Sequence, residues 1–167
     1  MKTARFPSIL KALGAAAMLV IAAAPLHAFA QKPASPVEAK LEARKVVRGA
    51  NAGEVFASGD VVKPGDVIEY VATFRNTSDQ HVKNLEPTLP LPEHTELVAG
   101  SARPASVRAG LDERSFAPMP LKRKVVANGR ESLENIPYRE YRYLRWEPVD
   151  LEPGKSMTVI ARVKVLE

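Results

Sequence analysis

The densest run of groups able to bind or react is Tyr138-Arg139-Glu140-Tyr141-Arg142-Tyr143-Leu144-Arg145-Trp146. Read as one strand, it puts Tyr141 and Tyr143 on one face with Arg139 and Arg145, and Arg142, Leu144 and Trp146 on the other. Rings on such a face can stack on a sugar or on a partner side chain, and the guanidinium groups beside them can pair with a carboxylate. A plainer reading uses the same alternation. Leu144 and Trp146 fill the core, while the tyrosines and arginines make cross-strand contacts on the outer face, which is routine in antiparallel sheets.

Elsewhere reactive groups are sparse. Beyond residue 30 only His81 and His94 remain, and there is no cysteine. A zinc or copper site takes three or four ligands of matched type, and neither histidine has a partner at such spacing, so no metal and no cofactor is expected. Ser58, Ser78 and Ser101 stand in turn contexts rather than in a Gly-x-Ser-x-Gly elbow. No catalytic set emerges, and the chain reads as non-enzymatic. The basic run Lys122-Arg123-Lys124 is short, and lysine on an exposed edge strand commonly guards against edge pairing.

The elements that position these residues are preceded by a leader. Residues 1–30 carry Lys2, Arg5 and Lys11, an apolar stretch over residues 12–24, and then Ala28-Phe29-Ala30. Basic head, short apolar middle and small-x-small tail in that order predict a cleaved signal peptide. A membrane span takes about 20 apolar residues, and this run is interrupted at Pro25 and His27, so no integral membrane anchor is expected. Residues 31–36 hold two prolines and no periodicity and read as a flexible leader. Residues 37–167 are expected to form a single domain, large enough to bury a core without disulfide or metal.

The formal net charge of +5 at first suggests an acidic partner. Three of those charges are the leader's Lys2, Arg5 and Lys11, with no acidic residue against them, so the remainder carries only +2. That excess is too small for the phosphate-driven attraction on which non-specific nucleic-acid binding depends.

The domain itself is written in turns and alternation. Val37, Ala39, Leu41 and Ala43 alternate with polar residues and predict a first strand, with a short helix as the alternative because Glu and Lys also suit helices. Pro64-Gly65 fits the two central positions of a type II turn, since proline presets φ and glycine accepts the positive φ that follows. Ile68, Tyr70, Ala72 and Phe74 then alternate as a half-buried strand with Ile68, Tyr70 and Phe74 inward, closed near Asn76. Pro87, Pro90 and Pro92 restrict their segment to a sheet edge or a crossover between sheets. Asn128-Gly129 predicts a type I′ hairpin. Pro153-Gly154 marks another turn, before a last strand over Met157, Val159, Ala161, Val163 and Val165. Short strands, repeated turn signals and no helical period predict an all-β, antiparallel sandwich of about seven to nine strands.

Three stretches together carry a family resemblance. Val62-Lys63-Pro64-Gly65-Asp66-Val67-Ile68-Glu69-Tyr70, running on to Phe74-Arg75-Asn76-Thr77-Ser78, resembles the opening of the bacterial conserved-repeat domain of unknown function eleven. Thr95-Glu96-Leu97-Val98-Ala99-Gly100-Ser101, then Arg145-Trp146 and Leu151-Glu152-Pro153-Gly154-Lys155, are similar to its middle and end. The resemblance implies an immunoglobulin-like β-sandwich of exported and surface proteins with no established catalytic role. The matching positions are structural: Pro64 and Gly65 for the turn, Tyr70, Phe74 and Trp146 for the core, Asn76 for the strand end, and Pro153 with Gly154 for the last turn.

The expectation is therefore an exported, non-catalytic binding or structural module of the bacterial cell envelope. It would be periplasmic or extracellular and would work through contacts with another envelope protein. The alternative is a carbohydrate-binding module that offers Tyr141 and Tyr143 to a polysaccharide.

Overall fold

In the computed structural model, residues 35–49, 53–59 and 61–167 are described, and the predicted signal peptide lies outside them. Of the predicted flexible leader only Ser35 and Pro36 fall within. The described residues are all-β, joined into several antiparallel sheets, with one short 3₁₀ turn at Tyr138–Glu140.

Turn chemistry frames the largest sheet. The first strand, β1 (Val37–Arg48), pairs with β2 (Glu54–Ser58) on one side and with β3 (Val67–Asn76) on the other. Pro64-Gly65 leads into β3, and Gly65 takes φ of 90° as a type II turn requires. Asp66 locks the turn: its carboxylate accepts the Lys63 N–H at 2.8 Å and the Lys45 ammonium at 2.6 Å. The chain then leaves this sheet through β4 (Val82–Leu85) and β5 (Thr88–Pro90) and returns as β6 (Thr95–Leu97). Pro90 suits β5 to a sheet edge, where its missing N–H costs no ladder bond, and β6 also lies at an edge.

The second sheet has four strands, in the order β5, β11 (Tyr143–Trp146), β7 (Val107–Gly110) and β8 (Ala117–Pro118). Between β8 and β11 a separate ribbon forms from β9 (Lys122–Ala127) and β10 (Arg130–Asn135). It turns at Asn128 (φ 53°) and Gly129 (φ 73°), the positive pair that type I′ demands. β12 (Val149–Leu151) pairs with β4 through an irregular register. β13 (Ser156–Val165) then runs beside β3 and holds β6 on its far side, completing the order β2-β1-β3-β13-β6.

The strand segments number thirteen among the described residues, against the seven to nine expected. Prolines and irregular register divide the stretch between β3 and β13 into pieces of two to six residues. Within residues 138–151 a single expected strand becomes a 3₁₀ turn followed by two strands, interrupted at Glu147-Pro148.

Side chains from both main sheets meet in one core. Ile68, Ala72, Val159, Ala161, Val163 and Leu97 come from the five-stranded sheet, and Leu89, Ala109, Leu144 and Trp146 from the four-stranded one. Tyr70 and Phe74 pack at its margin, partly buried. β1 lies outside that cover. Ala39, Leu41 and Ala43 sit opposite Phe74, Ala72 and Tyr70, on the core-facing side of the sheet, yet all three are exposed and Leu41 keeps 52% of its surface.

Candidate functional site

The aromatic run does not form one strand, and this decides which of its residues reach the surface. Pro137 precedes the 3₁₀ turn, and regular pairing begins only at Tyr143. Strand alternation therefore cannot be carried back from Tyr143 to Tyr141. Tyr141 is 1% exposed, packs edge-to-face on Tyr138 with ring centroids 5.1 Å apart, and accepts the Leu121 N–H on its hydroxyl at 2.7 Å. Burial pushes its phenol above the ordinary value. The expected shared face of Tyr141 and Tyr143 is corrected accordingly: Tyr141 is a core residue. Arg139 stays exposed on the turn, apart from the strand that carries Arg145.

Tyr143 and Arg145 do share the outer face of β11, and residues 111–116 fold over it. The Tyr143 hydroxyl donates to the Glu113 carboxylate at 2.9 Å. Arg145 lays its guanidinium on the Phe116 ring, 3.8 Å from the centroid. It also donates through Nε to Thr88 Oγ1 at 3.2 Å and reaches the Glu86 carboxylate at 3.2 Å. Asp112 holds the loop by accepting the N–H groups of Arg114 and Ser115, each at 2.8 Å, and these bonds keep its carboxyl below the usual range. The hydrogen bond to the Glu113 carboxylate raises the Tyr143 phenol above its ordinary value. A shallow groove of about 550 Å³ opens beside them, lined by Pro90, Glu93, Leu111, Arg114, Arg142 and Tyr143. Glu113 and Phe116 are absent from the sequence reading, because nothing in residues 102–120 shows a period that would aim them at β11.

The core side of the same strand matches the plainer reading. Leu144 is fully buried, and Trp146 is 2% exposed with its indole N–H donating to the Pro104 carbonyl at 2.8 Å. Asn76, fully buried at the end of β3, ties the β3–β4 loop to the end of β12 and the turn after it. Its amide donates to the carbonyls of Gln80 (2.7 Å) and Leu151 (2.9 Å), and its oxygen accepts the Ser78 N–H at 3.0 Å. Its backbone carbonyl receives the Gly154 N–H of the Pro153-Gly154 turn at 3.0 Å.

A second polar cluster went unread in the sequence. Glu69, 4% exposed, accepts Arg44 on one carboxylate oxygen (2.9 and 2.7 Å) and Arg162 on the other (2.8 Å). Arg162 is also bidentate to Glu54, at 2.9 and 2.7 Å, and Arg44 lies over the Phe56 ring at 4.0 Å. Paired with Arg162, the Glu54 carboxyl is held below its usual range. The cluster joins β1, β2, β3 and β13 across the face turned away from the core. Alternation alone marked Glu69 as outward, and only strand order reveals two arginines flanking it. Both oxygens are occupied, so its work is to join strands.

Among the described residues, no three His, Asp or Glu side chains gather where they could hold a metal ion. Compared with protein-family models, curated proteins and solved structures, the chain matches none.

Proposed function

We propose that this chain is an exported, non-catalytic module of the bacterial cell envelope, an immunoglobulin-like sandwich that works by binding another envelope protein. The resemblance to the conserved-repeat domain of unknown function eleven belongs to this proposal, as do export and location. The two sheets that share one core favour the sandwich.

The observation that carries binding is the β9–β10 ribbon. Its base is anchored by buried Leu121 and Ile136, joined by the Ile136 N–H on the Leu121 carbonyl at 2.8 Å. Beyond the base nearly every residue is exposed. Val126 and Leu133, diagonal neighbours on one face, keep 67% and 66% of their surfaces with Lys124 and Glu131 beside them. Apolar side chains held out on an ordered ribbon and rimmed by charge suit a protein contact. The glycan reading needed an accessible Tyr141 and is not carried forward.

The test is affinity capture from the native envelope with the wild-type chain and with Val126→Asp/Leu133→Asp. A protein partner retained by the wild type and lost by the double variant is the expected result. Equal recovery by both, or no partner at all, counts against the reading.

A further inference from the structure

Among the described residues, one stretch of sheet edge has no partner strand. Successive residues of an antiparallel strand turn their N–H and C=O groups alternately to either side. Thr77 N–H donates to the Pro36 carbonyl at 2.9 Å, which assigns the even-numbered residues at the start of β1 to the β3 side. The odd-numbered ones face away, and among the described residues the Val37 N–H meets the Ser35 hydroxyl, at 3.3 Å. β2 covers β1 only from Arg44 onward, and Gly59 closes against the Ala43 carbonyl. Among the described residues no strand covers this edge, and Val37, Ala39 and Leu41 turn both backbone groups toward it.

The side chains along that edge are self-complementary. Glu38 and Lys40 flank Ala39 on one face of the sheet, and Val37, Ala39 and Leu41 occupy the other. We propose that two copies of this chain associate by antiparallel pairing of this β1 edge about a two-fold axis at Ala39. Glu38 then stands opposite Lys40 of the second copy, and Lys40 opposite its Glu38. Val37 packs against Leu41 of the second copy, covering an apolar face that the core leaves open. Opposite charges facing across an antiparallel pair stabilise it, and like charges destabilise it. The same patch serves both copies, so the assembly closes as a dimer and joins two five-stranded sheets into one.

Neighbouring registers are less favourable. An axis at Glu38 or Lys40 still pairs the outward odd-numbered residues but sets that charge directly against its own copy, which destabilises the pair. An axis at Leu41 would drive the second strand into Gly59 and Ser58, and one at Val37 would set Glu38 against Pro36.

Sedimentation velocity of the purified chain over a concentration series tests the pairing. Wild type is expected to double its mass as concentration rises. Ala39→Pro removes an N–H that faces away from β3, so it should keep its thermal melting and remain a monomer. Glu38→Lys or Lys40→Glu alone places like charges at both cross-copy positions and should weaken association about tenfold. Mixing the two charge variants should restore it, because every cross-copy pair is again of opposite sign. Val126→Asp should leave association unchanged, which separates this edge from the ribbon. A wild type that stays monomeric throughout, a dimer that survives Ala39→Pro, or charge variants that do not recover on mixing would overturn the proposal.

Discussion

At single residues, the decisive contrast is between groups whose partners are buried with them and groups whose partners stay in water. Glu69 and Glu54 touch the same arginine, but only Glu69 lies beneath the surface. Glu69→Ala leaves Arg44 without its carboxylate and Arg162 with Glu54 alone, and should cost about 2 kcal/mol. Glu54→Gln, at an exposed pair, should move the urea midpoint far less. Denaturant unfolding of the two variants checks this, and equal losses would contradict it. The tyrosines divide in the same way. Tyr141→Phe strands the buried Leu121 N–H and should cost about 1–2 kcal/mol, while Tyr143→Phe, whose hydroxyl is exposed with Glu113, should stay within about 0.5 kcal/mol of wild type. Comparable losses at both positions would mean that residues 111–116 bear on stability more than their exposure indicates.

Among the elements, what the sequence made legible follows from how local each cause is. The Pro64-Gly65, Asn128-Gly129 and Pro153-Gly154 turns could be placed because proline and positive-φ glycine act within two residues. β3 and β13 could be placed because one face of each is buried, which imposes the period of two. The positive φ of 74° at Gly154 carries an energetic consequence. An added Cβ there meets no neighbour, so Gly154→Ala should cost only the backbone penalty of about 1–2 kcal/mol, read from the thermal midpoint. A neutral outcome would show that the turn relaxes to another type. The alternation in residues 138–146 misled because strand parity holds only while the strand lasts. Pro137 was the available warning, since a proline at that point lets a 3₁₀ turn reset which side chains point inward. The Glu69 cluster and residues 111–116 depend on which strands become neighbours across long separations in sequence, and no local pattern encodes that. β1 has the alternation of a half-buried strand and lies beyond the core's cover, since periodicity reports an apolar face but not what covers it.

For the molecule as a whole, stability without disulfides rests on packing, backbone bonds and carboxylates held in charged form, and this sets its pH limits. Asp66 is lowered mainly by its bond from Lys45 and then by the Lys63 N–H. Glu54 is lowered by Arg162, and Asp112 by the N–H groups of Arg114 and Ser115. A carboxyl whose value falls on folding stabilises the protein above its unfolded value, and that contribution is lost as pH drops through the folded one. The acid limb should therefore begin near pH 4, where unfolded carboxylates start to take up protons. Tyr70 and Tyr141 act in the opposite direction, because burial raises both phenols. Their contribution is complete below about pH 10, the value of an unfolded tyrosine, and declines above it as the unfolded chain loses protons that the folded one keeps. Urea midpoints should form a plateau between these limits and fall on both sides. Asp66→Asn removes one of the depressed carboxyls, so it should lower the plateau and make the acid limb shallower, bringing the two curves together below about pH 3. Curves that stay parallel through the acid limb would show that the Asp66 link between β1 and the Pro64-Gly65 turn is not among the charges that hold this fold.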